Sequence, residues 1–289
     1  MPTMRDIKGR IRSVTTTKKT TKAMNLVSSS KMARAKAKLN QGNPFFENMH
    51  RIISNIMINT ESIEHELFEE RKIKRSLIIV IANDRGLCGG YNVNVCKHAM
   101  NLMNNLQKKG SEVSIFAIGN KSRDFFNRIN IDIIEAINGI SESPFYTDAQ
   151  KICSKIIELY KAQTFDQVHI CYTQFVSAIS YLPSDMKLMP LQPNDFLSEG
   201  KRLGDAIRYE PNSLEVLDYF IPKYISTMIF LALSTSAASG QAATMTAMDS
   251  ATENAENIID NLTLMYNRAR QGAITQEISE IVGGANALE

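Results

Sequence analysis

Residues 7–39 read IKGRIRSVTTTKKTTKAMNLVSSSKMARAKAKL, and a regular interval runs through this stretch. Its candidate contact positions follow alternating steps of four and three, the heptad spacing of a coiled-coil seam. The seam is apolar at both ends and small or polar in the middle. Its members are Ile7, Ile11, Val14, Lys18, Thr21, Asn25, Ser28, Met32, Ala35 and Leu39. The spacing predicts a long helix that pairs with another helix; a helix lying on a globular domain is the alternative.

The far end of the chain has the same character. Helical patterning covers Met4 to Glu66, and it returns from Asn212 to Leu288. The apolar residues that recur at helical spacing in the second segment are Ile258, Leu262, Met265 and Ala269, then Ile274, Ile278 and Ile281. At about 1.5 Å per residue, neither helix fits inside one small domain. We therefore expect the two chain ends to pair as a long antiparallel coiled coil.

Opposite charges support this pairing. Residues 1–39 contain eleven Lys or Arg and one acid, whereas residues 241–289 contain seven acids and two Arg. Such blocks pair with each other or with separate partners. Binding of the basic helix to nucleic acid is the competing interpretation, because Lys and Arg neutralise phosphates without any motif. The acid-poor start also resembles a transit peptide, but its helical pattern continues without a cleavage-like break, so we interpret it as mature protein.

The middle of the chain alternates strands and helices. Its strand candidates are Leu77–Ala82, Val113–Ile118, Gln167–Tyr172 and Met186–Leu191. Its helix candidates are Asn92–Lys109, Lys121–Ile129 and Tyr146–Gln163. This alternation predicts a Rossmann-like α/β domain inserted between the helices. The expected divisions are residues 1–72 for the N-terminal helix, 73–205 for the α/β domain and 206–289 for the C-terminal helix.

A glycine-rich turn, Gly86–Gly90, follows the first strand, where phosphate-binding loops occur. The chain contains neither GxGxxG nor GxxxxGK[ST], and glycine is also needed wherever a turn requires a positive φ. We therefore favour a structural turn. For Asp84 and Arg85 before it we favour a solvated or turn-capping pair rather than a functional one. The histidines form no HExxH and the four cysteines no CxxC, so no catalytic, cofactor or metal site is predicted.

The last residues are unusual for a protruding helix. Residues 281–288 carry no charge. An apolar end of this kind would be an exposed patch in water. It is explained if another protein encloses it.

Four stretches of the sequence resemble one known family, the gamma subunits of F-type ATP synthases. The resemblance covers the whole chain and is most specific near its C-terminus. The first two stretches are IKGRIRSV at 7–14 and TTKAM at 20–24, continued by SKMAR at 30–34. The others are DRGLCGG at 84–90 and YNRARQ at 266–271, continued by ITQEISEIVGGA at 274–285.

The resemblance implies a non-catalytic rotor shaft without cofactors. Its coiled coil would stand inside a ring of three alpha and three beta subunits, and its α/β foot would rest on a ring of c subunits and bind epsilon. Rotation would couple ion transport to ATP synthesis or hydrolysis. The complex would place the chain peripherally on the cytoplasmic side of a bacterial plasma membrane, with no nucleic acid as partner.

The resemblance also implies roles for individual residues. The candidate contacts with the catalytic ring are Arg270, Gln271, Thr275 and Glu277, with Lys22 and Met24 opposite them. The candidate contacts between the foot and the c ring are Tyr209 and Glu210. The apolar bearing tip would be formed by Ile281, Val282 and Leu288.

The chain departs from the family pattern within residues 238–249. Members usually carry an acid where Gly240 stands, an Arg where Thr244 stands and a Lys where Asp249 stands. A glycine inside a helix is expected to weaken it by about 1 kcal/mol relative to alanine.

Two other function classes stay open from the residues alone. One is a nucleotide-dependent enzyme with a Rossmann-like domain and helical arms, which a nucleotide titration would reveal. The other is a coiled coil that binds nucleic acid through residues 1–39, which predicts salt-sensitive binding to duplex DNA or RNA.

Overall fold

The structure, a computed structural model, describes residues 3–59, 65–69, 71–197, 210 and 212–286. Two long helices, α1 (Met4–Asn59) and α6 (Ser213–Asn286), precede and follow the other elements along the chain. The strands are β1 (Arg75–Ile81), β2 (Glu112–Ile118), β3 (Ile133–Ile137), β4 (Gln167–Ser177) and β5 (Ser180–Met189). The other helices are α2 (Tyr91–Lys108), α3 (Asn120–Arg128), α4 (Tyr146–Lys161) and α5 (Pro193–Leu197).

Each long helix begins at a polar cap. Thr3 Oγ1 accepts a hydrogen bond from Asp6 N at 3.2 Å, and the Asp6 carboxylate accepts one from Thr3 N at 3.0 Å. The Thr3 hydroxyl also donates to the Asp6 carboxylate at 2.7 Å, and this bond is the largest cause that lowers the pKa of Asp6, followed by the bond from Thr3 N. At α6, Asn212 Oδ1 accepts from Glu215 N at 2.9 Å, and Asn212 Nδ2 donates to the Glu215 carboxylate at 2.8 Å. Reciprocal bonds of this kind satisfy backbone N–H groups that a helix start leaves unpaired.

The five strands form one sheet in the order β3-β2-β1-β4-β5. The pairs β1–β2, β1–β4 and β2–β3 are parallel, while β4 and β5 are antiparallel. The alternating strands and helices of the middle segment thus give the predicted α/β sheet. The first strand lies centrally and is buried over Ser76–Ile81, as its continuous apolar run indicates.

Three details of the sheet differ from the sequence-based expectation. Strand β3 was not predicted, because its short stretch IIEAI alternates half-buried with exposed side chains and lacks an apolar run. Strands β4 and β5 extend beyond their predicted ends, Tyr172 and Met186, and form a hairpin through Ser177 and Ser180. The predicted helix Met4–Glu66 was too long at its end, since Glu66 lies in a turn.

The chain divides into two compact units, and both long helices contribute to each. The sheet unit comprises residues 29–244, and the paired-helix unit comprises residues 1–28 with 245–289. In the sheet unit, one sheet face packs against α4 and the first half of α6, through residues such as Ile79, Ile156 and Ile225. The other face packs against α2 and α3, through residues such as Val80, Val95 and Phe126.

By length and composition alone, one helix in the described part of the chain could cross a membrane: residues 213–283 of α6 contain an 18-residue window with a mean hydropathy of 1.4. Half of that window is buried inside the protein. The core helix of a soluble protein passes the same test, so this is weak evidence for a span. The buried polar residues Ser236, Ser239 and Gln241 in the same helix fit a core position.

Candidate functional site

Helix α6 occupies the place where an open α/β sheet usually binds ligands. In such sheets the binding crevice lies outside the carboxyl ends of the strands, where the strand order reverses. Here that place is beyond Ile81 of β1, next to the continuing strand β4. At this place, side chains of α6 form hydrogen bonds with β4, and Gly240 of α6 contacts the loop after β1.

Hydroxyl groups of α6 continue the hydrogen bonding of β4 beyond the end of β1. Ser236 Oγ accepts from Thr173 N at 3.1 Å, and Ser239 Oγ donates to Thr173 O at 3.1 Å. Thr235 Oγ1 accepts from Phe175 N at 3.1 Å. Buried backbone groups need such partners, and β1 ends too early to supply them. We call these three hydroxyls the α6 anchor; they explain why a helix interior contains so many Ser and Thr residues.

Two further contacts hold α6 at this edge. The Tyr91 hydroxyl at the start of α2 donates to Ser236 O at 2.8 Å, and burial of the phenol raises its pKa. Gly240 faces Asn83, which follows β1. A Cβ atom placed on Gly240 would lie 2.7 Å from Asn83 Nδ2 and Oδ1. The glycine that departs from the family pattern therefore permits a close approach between helix and loop.

Asp84 organises the loops around the glycine-rich turn. Its carboxylate accepts from Asn120 N at 3.1 Å, Gly139 N at 3.0 Å and Ser141 Oγ at 2.6 Å. Its own N–H donates to Ser141 Oγ at 2.9 Å. Asp84 thus ties the start of α3 to the loop that follows β3, in agreement with a capping role. Its neighbour Arg85 lies 3.5 Å from the Glu142 carboxylate in that same loop.

The glycine-rich turn itself has backbone conformations that favour glycine. Gly89 has φ +56°, and the neighbouring Leu87 also has a positive φ of 63°. No side-chain hydrogen bond caps the following helix α2. With α6 beside it and no phosphate-binding motif, the turn is best explained as a structural connection.

The paired-helix unit follows the predicted heptads on α1. All ten predicted seam residues of α1 are buried or half-buried along its length. In this unit Thr21 and Thr252 share a hydrogen bond of 2.7 Å, and Asn25 Nδ2 donates to Met245 O at 2.9 Å. The small and polar middle of the seam therefore allows close approach and direct hydrogen bonding.

The prediction of which residues form the buried apolar face of α6 was partly wrong. Ile258 and Met265 are each 47% exposed. Beyond Ala247, the buried or half-buried positions of α6 are Met248, Ala251, Thr252, Ala255, Ile259, Leu262, Tyr266 and Ala269. All of these except Ala251 follow heptad steps, so the helix pairs through a narrow seam. Ile258 and Met265, two large apolar residues that seemed to mark the seam, lie beside it.

Among the described residues of this unit, opposite charges meet at one ion pair. Lys18 Nζ lies 2.5 Å from the Glu256 carboxylate. The hydrogen bond and charge of Lys18, followed by the charge of Lys22, lower the pKa of Glu256. The basic and acidic ends of the chain therefore neutralise each other here.

This register corrects one expectation. Lys22 and Met24 do not lie opposite Arg270 and Gln271, because Lys22 is near Glu256. Arg270 lies 14 residues further along α6, roughly 20 Å along the helix axis. Lys22 is exposed and Met24 half-buried.

The C-terminal candidates lie on an uncovered part of α6. Every side chain from Arg270 to Gly283 is exposed. Within the described residues Arg270 forms no ion pair, so an acid across the seam does not account for it. Thr275 Oγ1 donates to Gln271 O at 2.9 Å, a local bond that leaves Gln271 and Glu277 available on the surface. Such an exposed helical surface suits contact with another protein.

The apolar tip candidates are exposed where they are described. Ile281 is 71% exposed and Val282 is 52% exposed. Leu288 lies outside the described residues. Of the two foot candidates, Glu210 is exposed, and Tyr209 also lies outside the described residues.

No chemical centre is evident in the described part of the chain. No group of three or more His, Cys, Asp or Glu residues there is placed to hold a metal ion. All four cysteines are unpaired and buried. Burial raises the pKa of Cys153 to about 11 and of Cys96 to about 12, so these thiols are poor nucleophiles.

Comparisons with known proteins agree with each other. A family described as ATP synthase matches residues 3–288. The chain is 48% identical to the ATP synthase gamma chain of Alkaliphilus metalliredigens over 289 residues, covering 99% of each chain. It is 42% identical to that of Heliobacterium modesticaldum, covering all of both chains.

Solved structures show the same fold. A chain from the central stalk and c ring of the Tetrahymena thermophila mitochondrial ATP synthase matches with a TM-score of 0.60 and 26% identity. The match covers 80% of this chain and 98% of that one. A chain from the Euglena gracilis mitochondrial ATP synthase matches with a TM-score of 0.60 at 17% identity, covering 97% and 95%. With its full-length relatives and its shared fold, the chain belongs to the ATP synthase gamma chain family.

Proposed function

We propose that this chain is the central rotor shaft of an F-type ATP synthase. It couples ion-driven rotation of a ring of c subunits to ATP synthesis or hydrolysis in a ring of alpha and beta subunits. One observation carries the mechanical interpretation: α6 is a single helix of 74 residues that is bonded to the sheet at Thr235, Ser236 and Ser239 and reaches an exposed segment from Arg270 onwards. A torque applied to the sheet unit would therefore pass into α6 through direct bonds.

The chain itself does no catalysis in this proposal. Helix α6 fills the crevice that a nucleotide would need beside β1 and β4, and Gly240 packs against Asn83 there. Catalysis then belongs to the partner subunits. The shaft presents different faces to otherwise equivalent subunits, so each shaft angle favours a different nucleotide state through differential contact energy.

The exposed part of α6 supplies the contacts with the catalytic ring. Arg270 and Gln271 are well suited to it, because a guanidinium and an amide present several donors in a fixed geometry. Thr275 and Glu277 would join them. The uncharged residues Ile281 and Val282 would turn in an apolar sleeve, where few directional hydrogen bonds favour any one angle.

Lys22 and Met24 would contact the ring lower on the shaft, at the level of Glu256. Tyr209 and Glu210 would contact the c ring, and the foot would bind epsilon. The gamma chains of Alkaliphilus metalliredigens and Heliobacterium modesticaldum, to which this chain is similar, come from bacteria. The complex would therefore hold this chain peripherally on the cytoplasmic side of a bacterial plasma membrane.

A tagged pull-down tests the proposal. The tagged chain is isolated from native membranes in mild detergent, and ATPase activity is assayed on the eluate. We expect alpha and beta subunits at three copies each per tagged chain, together with ATPase activity that the purified chain alone lacks. Elution of the chain alone from intact membranes, or with nucleic acid, would contradict the shaft.

A further inference from the structure

Two neighbouring cavities lie side by side in the sheet unit. The first, of about 350 Å³, lies between α1, α6 and the loop before α4. The second, of about 450 Å³, lies beside it, and Lys38 and Pro144 line both. Cavities of this size, mainly apolar with a few polar groups, are typical of small-molecule sites.

The first cavity carries excess positive charge. Lys31, Arg34 and Lys38 of α1 line it, against one carboxylate, Glu142. That carboxylate is already engaged by Lys31 Nζ at 2.9 Å and by Arg85 at 3.5 Å. Lys38 Nζ donates to two neutral oxygens, Ser143 Oγ at 3.3 Å and Pro144 O at 3.5 Å. Among the described residues, Arg34 and Lys38 therefore lack an acidic partner.

Two polar groups of this cavity are available to a ligand. Within the described residues, Arg34 makes no ion pair or hydrogen bond. Ser234 of α6 is 2% exposed, and its Oγ has no hydrogen-bond partner in the described structure. A buried hydroxyl without a partner is unfavourable and uncommon. An anionic oxygen between Arg34 and Ser234 would satisfy both.

The second cavity is aromatic and apolar. Phe45 and Phe230 line it together with Phe145, and Lys38 Nζ lies 4.9 Å from the centroid of the Phe145 ring. Phe45 is 51% exposed and Phe145 63% exposed. Gly42 forms part of the wall, and a Cβ atom there would lie 3.0 Å from Leu231 Cδ2 and 3.7 Å from the Phe230 ring, so a side chain at this position would press on its neighbours.

We propose that the two cavities bind one small amphiphilic anion. Its phosphate or carboxylate head lies among Lys31, Arg34, Lys38 and Ser234, and its apolar or aromatic body lies against Phe45, Phe145 and Phe230. Charge complementarity selects the head, and the adjoining aromatic walls select a body that inorganic phosphate lacks. The same chemistry occurs in a nucleoside monophosphate and in an anionic lipid.

The test uses 1-naphthyl phosphate as a fluorescent probe on the full-length chain, which contains no Trp to interfere. We expect saturable binding that is at least about ten-fold tighter than that of 1-naphthol or inorganic phosphate, each of which has only half of the required chemistry. Equal binding of 1-naphthol would reduce the site to an apolar surface and overturn the proposal.

Substitutions of residues that line the first cavity test where the probe binds. Arg34→Gln should weaken binding by about ten-fold, and Ser234→Ala should weaken it by a smaller factor. Lys36→Gln is the matched control, because Lys36 is exposed on the same helix and does not line either cavity. Equal affinity of the Arg34 and Lys36 variants would overturn the assignment. Since both side chains are exposed, neither change is expected to prevent folding.

Competition distinguishes the sources of the ligand. Adenosine monophosphate and dihexanoyl phosphatidate are titrated against bound probe, and displacement by one of them assigns the ligand class. If neither compound displaces the probe, the proposal that the cavities bind a natural amphiphilic anion is overturned. The titration is repeated on the assembled complex, where loss of probe binding would mean that a partner protein covers the cavities instead.

Discussion

Gly240 and Asn83 are packed so closely that a side chain on α6 at this position would have to displace the Asn83 side chain. A Cβ atom on the glycine would lie 2.7 Å from two atoms of the Asn83 amide. Asn83 is nearly buried, and its N–H donates to Asn92 Oδ1 at 2.8 Å. The contact joins the middle of α6 to the loop that follows the central strand.

Gly240→Ala should therefore destabilise the chain, although alanine is the better helix former. The gain of about 1 kcal/mol in helix propensity is outweighed by overpacking, which costs about 1–3 kcal/mol. The free energy of unfolding, measured by urea titration, should fall. Gly9→Ala in α1 is the control, because no atom lies within 4 Å of its Cβ position, and it should raise stability. In an Asn83→Ala background, Gly240→Ala should become neutral or stabilising; a cost that persists there would refute the steric explanation.

The α6 anchor gives a second prediction. Ser236→Ala removes the acceptor for Thr173 N, and the unpaired buried N–H should cost about 1–3 kcal/mol in the free energy of unfolding. Ser234→Ala, two residues away on the same helix, is the control. The Ser234 hydroxyl has no partner among the described residues, so its loss should be nearly neutral. Equal midpoints in urea for the two variants would show that the anchor contributes nothing.

These two features show what the sequence could not reveal. Gly240 looked like a weakness in a helix, because propensity describes the helix alone and not the Asn83 side chain beside it. The serines and threonines of α6 looked like breaks in an apolar pattern, although Ser236 and Ser239 are partners for a strand distant in sequence. Contacts between distant segments carry no local signal.

Hydrophobic periodicity predicted the buried positions correctly where only one face of the helix fitted the spacing. The seam of α1 was predicted correctly, since its small and polar residues still keep the interval of four and three. On the second half of α6, large residues occur on two adjacent faces, and the choice of Ile258 over Ile259 was wrong. The candidate site residues followed from family resemblance alone, and Arg270 and Gln271 remain predictions.

Asp84 provides a third prediction. Asp84→Asn replaces a carboxylate that accepts three hydrogen bonds with an amide that has one acceptor oxygen. We expect a loss of about 1–3 kcal/mol in unfolding free energy and faster proteolysis of the loop containing Gly139 and Ser141. Asp124→Asn is the control, since in the described structure Asp124 accepts hydrogen bonds only from the adjacent Arg123. Unchanged proteolysis in the Asp84 variant would contradict its role as an organiser of the loop.

His169 should make stability depend on pH. Burial is the main cause that lowers its pKa, Lys187 and Lys109 lower it further, and the Asp185 charge opposes them. The folded chain then binds fewer protons than the unfolded chain below about pH 6.5, the ordinary value for His. The free energy of unfolding should therefore fall as pH drops from 7 toward 5, by at most about 1.4 kcal/mol per pH unit for one proton.

The variant that removes this effect is His169→Phe. Both ring nitrogens are buried without a partner in the described structure, so the apolar ring should be tolerated at pH 7. Urea midpoints at pH 7.5 and 5.5 give the measurement, and the variant should lose less stability than the parent. Burial also lowers the pKa of His65. His65 therefore contributes a remaining dependence of stability on pH, with the same sign. An identical loss in variant and parent would exclude His169 as a source.

Arg270 tests the shaft proposal at a single residue. It is exposed on α6, and no described residue pairs with it, so Arg270→Ala should leave the urea midpoint of the chain unchanged. If its guanidinium contacts the catalytic ring, the loss of charge-assisted hydrogen bonds, worth about 1.5–3 kcal/mol, should lower ATPase activity of the assembled complex by about ten-fold or more. The measurement is ATPase activity per complex, with alpha and beta content determined on the same sample.

Arg268→Ala is the control, because Arg268 is also exposed on the same helix two residues earlier. Its effect should be smaller, since two residues along a helix point to different faces. Normal assembly with low activity in the Arg270 variant would locate the defect in coupling. Full activity of that variant would remove Arg270 from the contact surface, and an equal defect in both variants would indicate a general effect of positive charge on this part of the shaft.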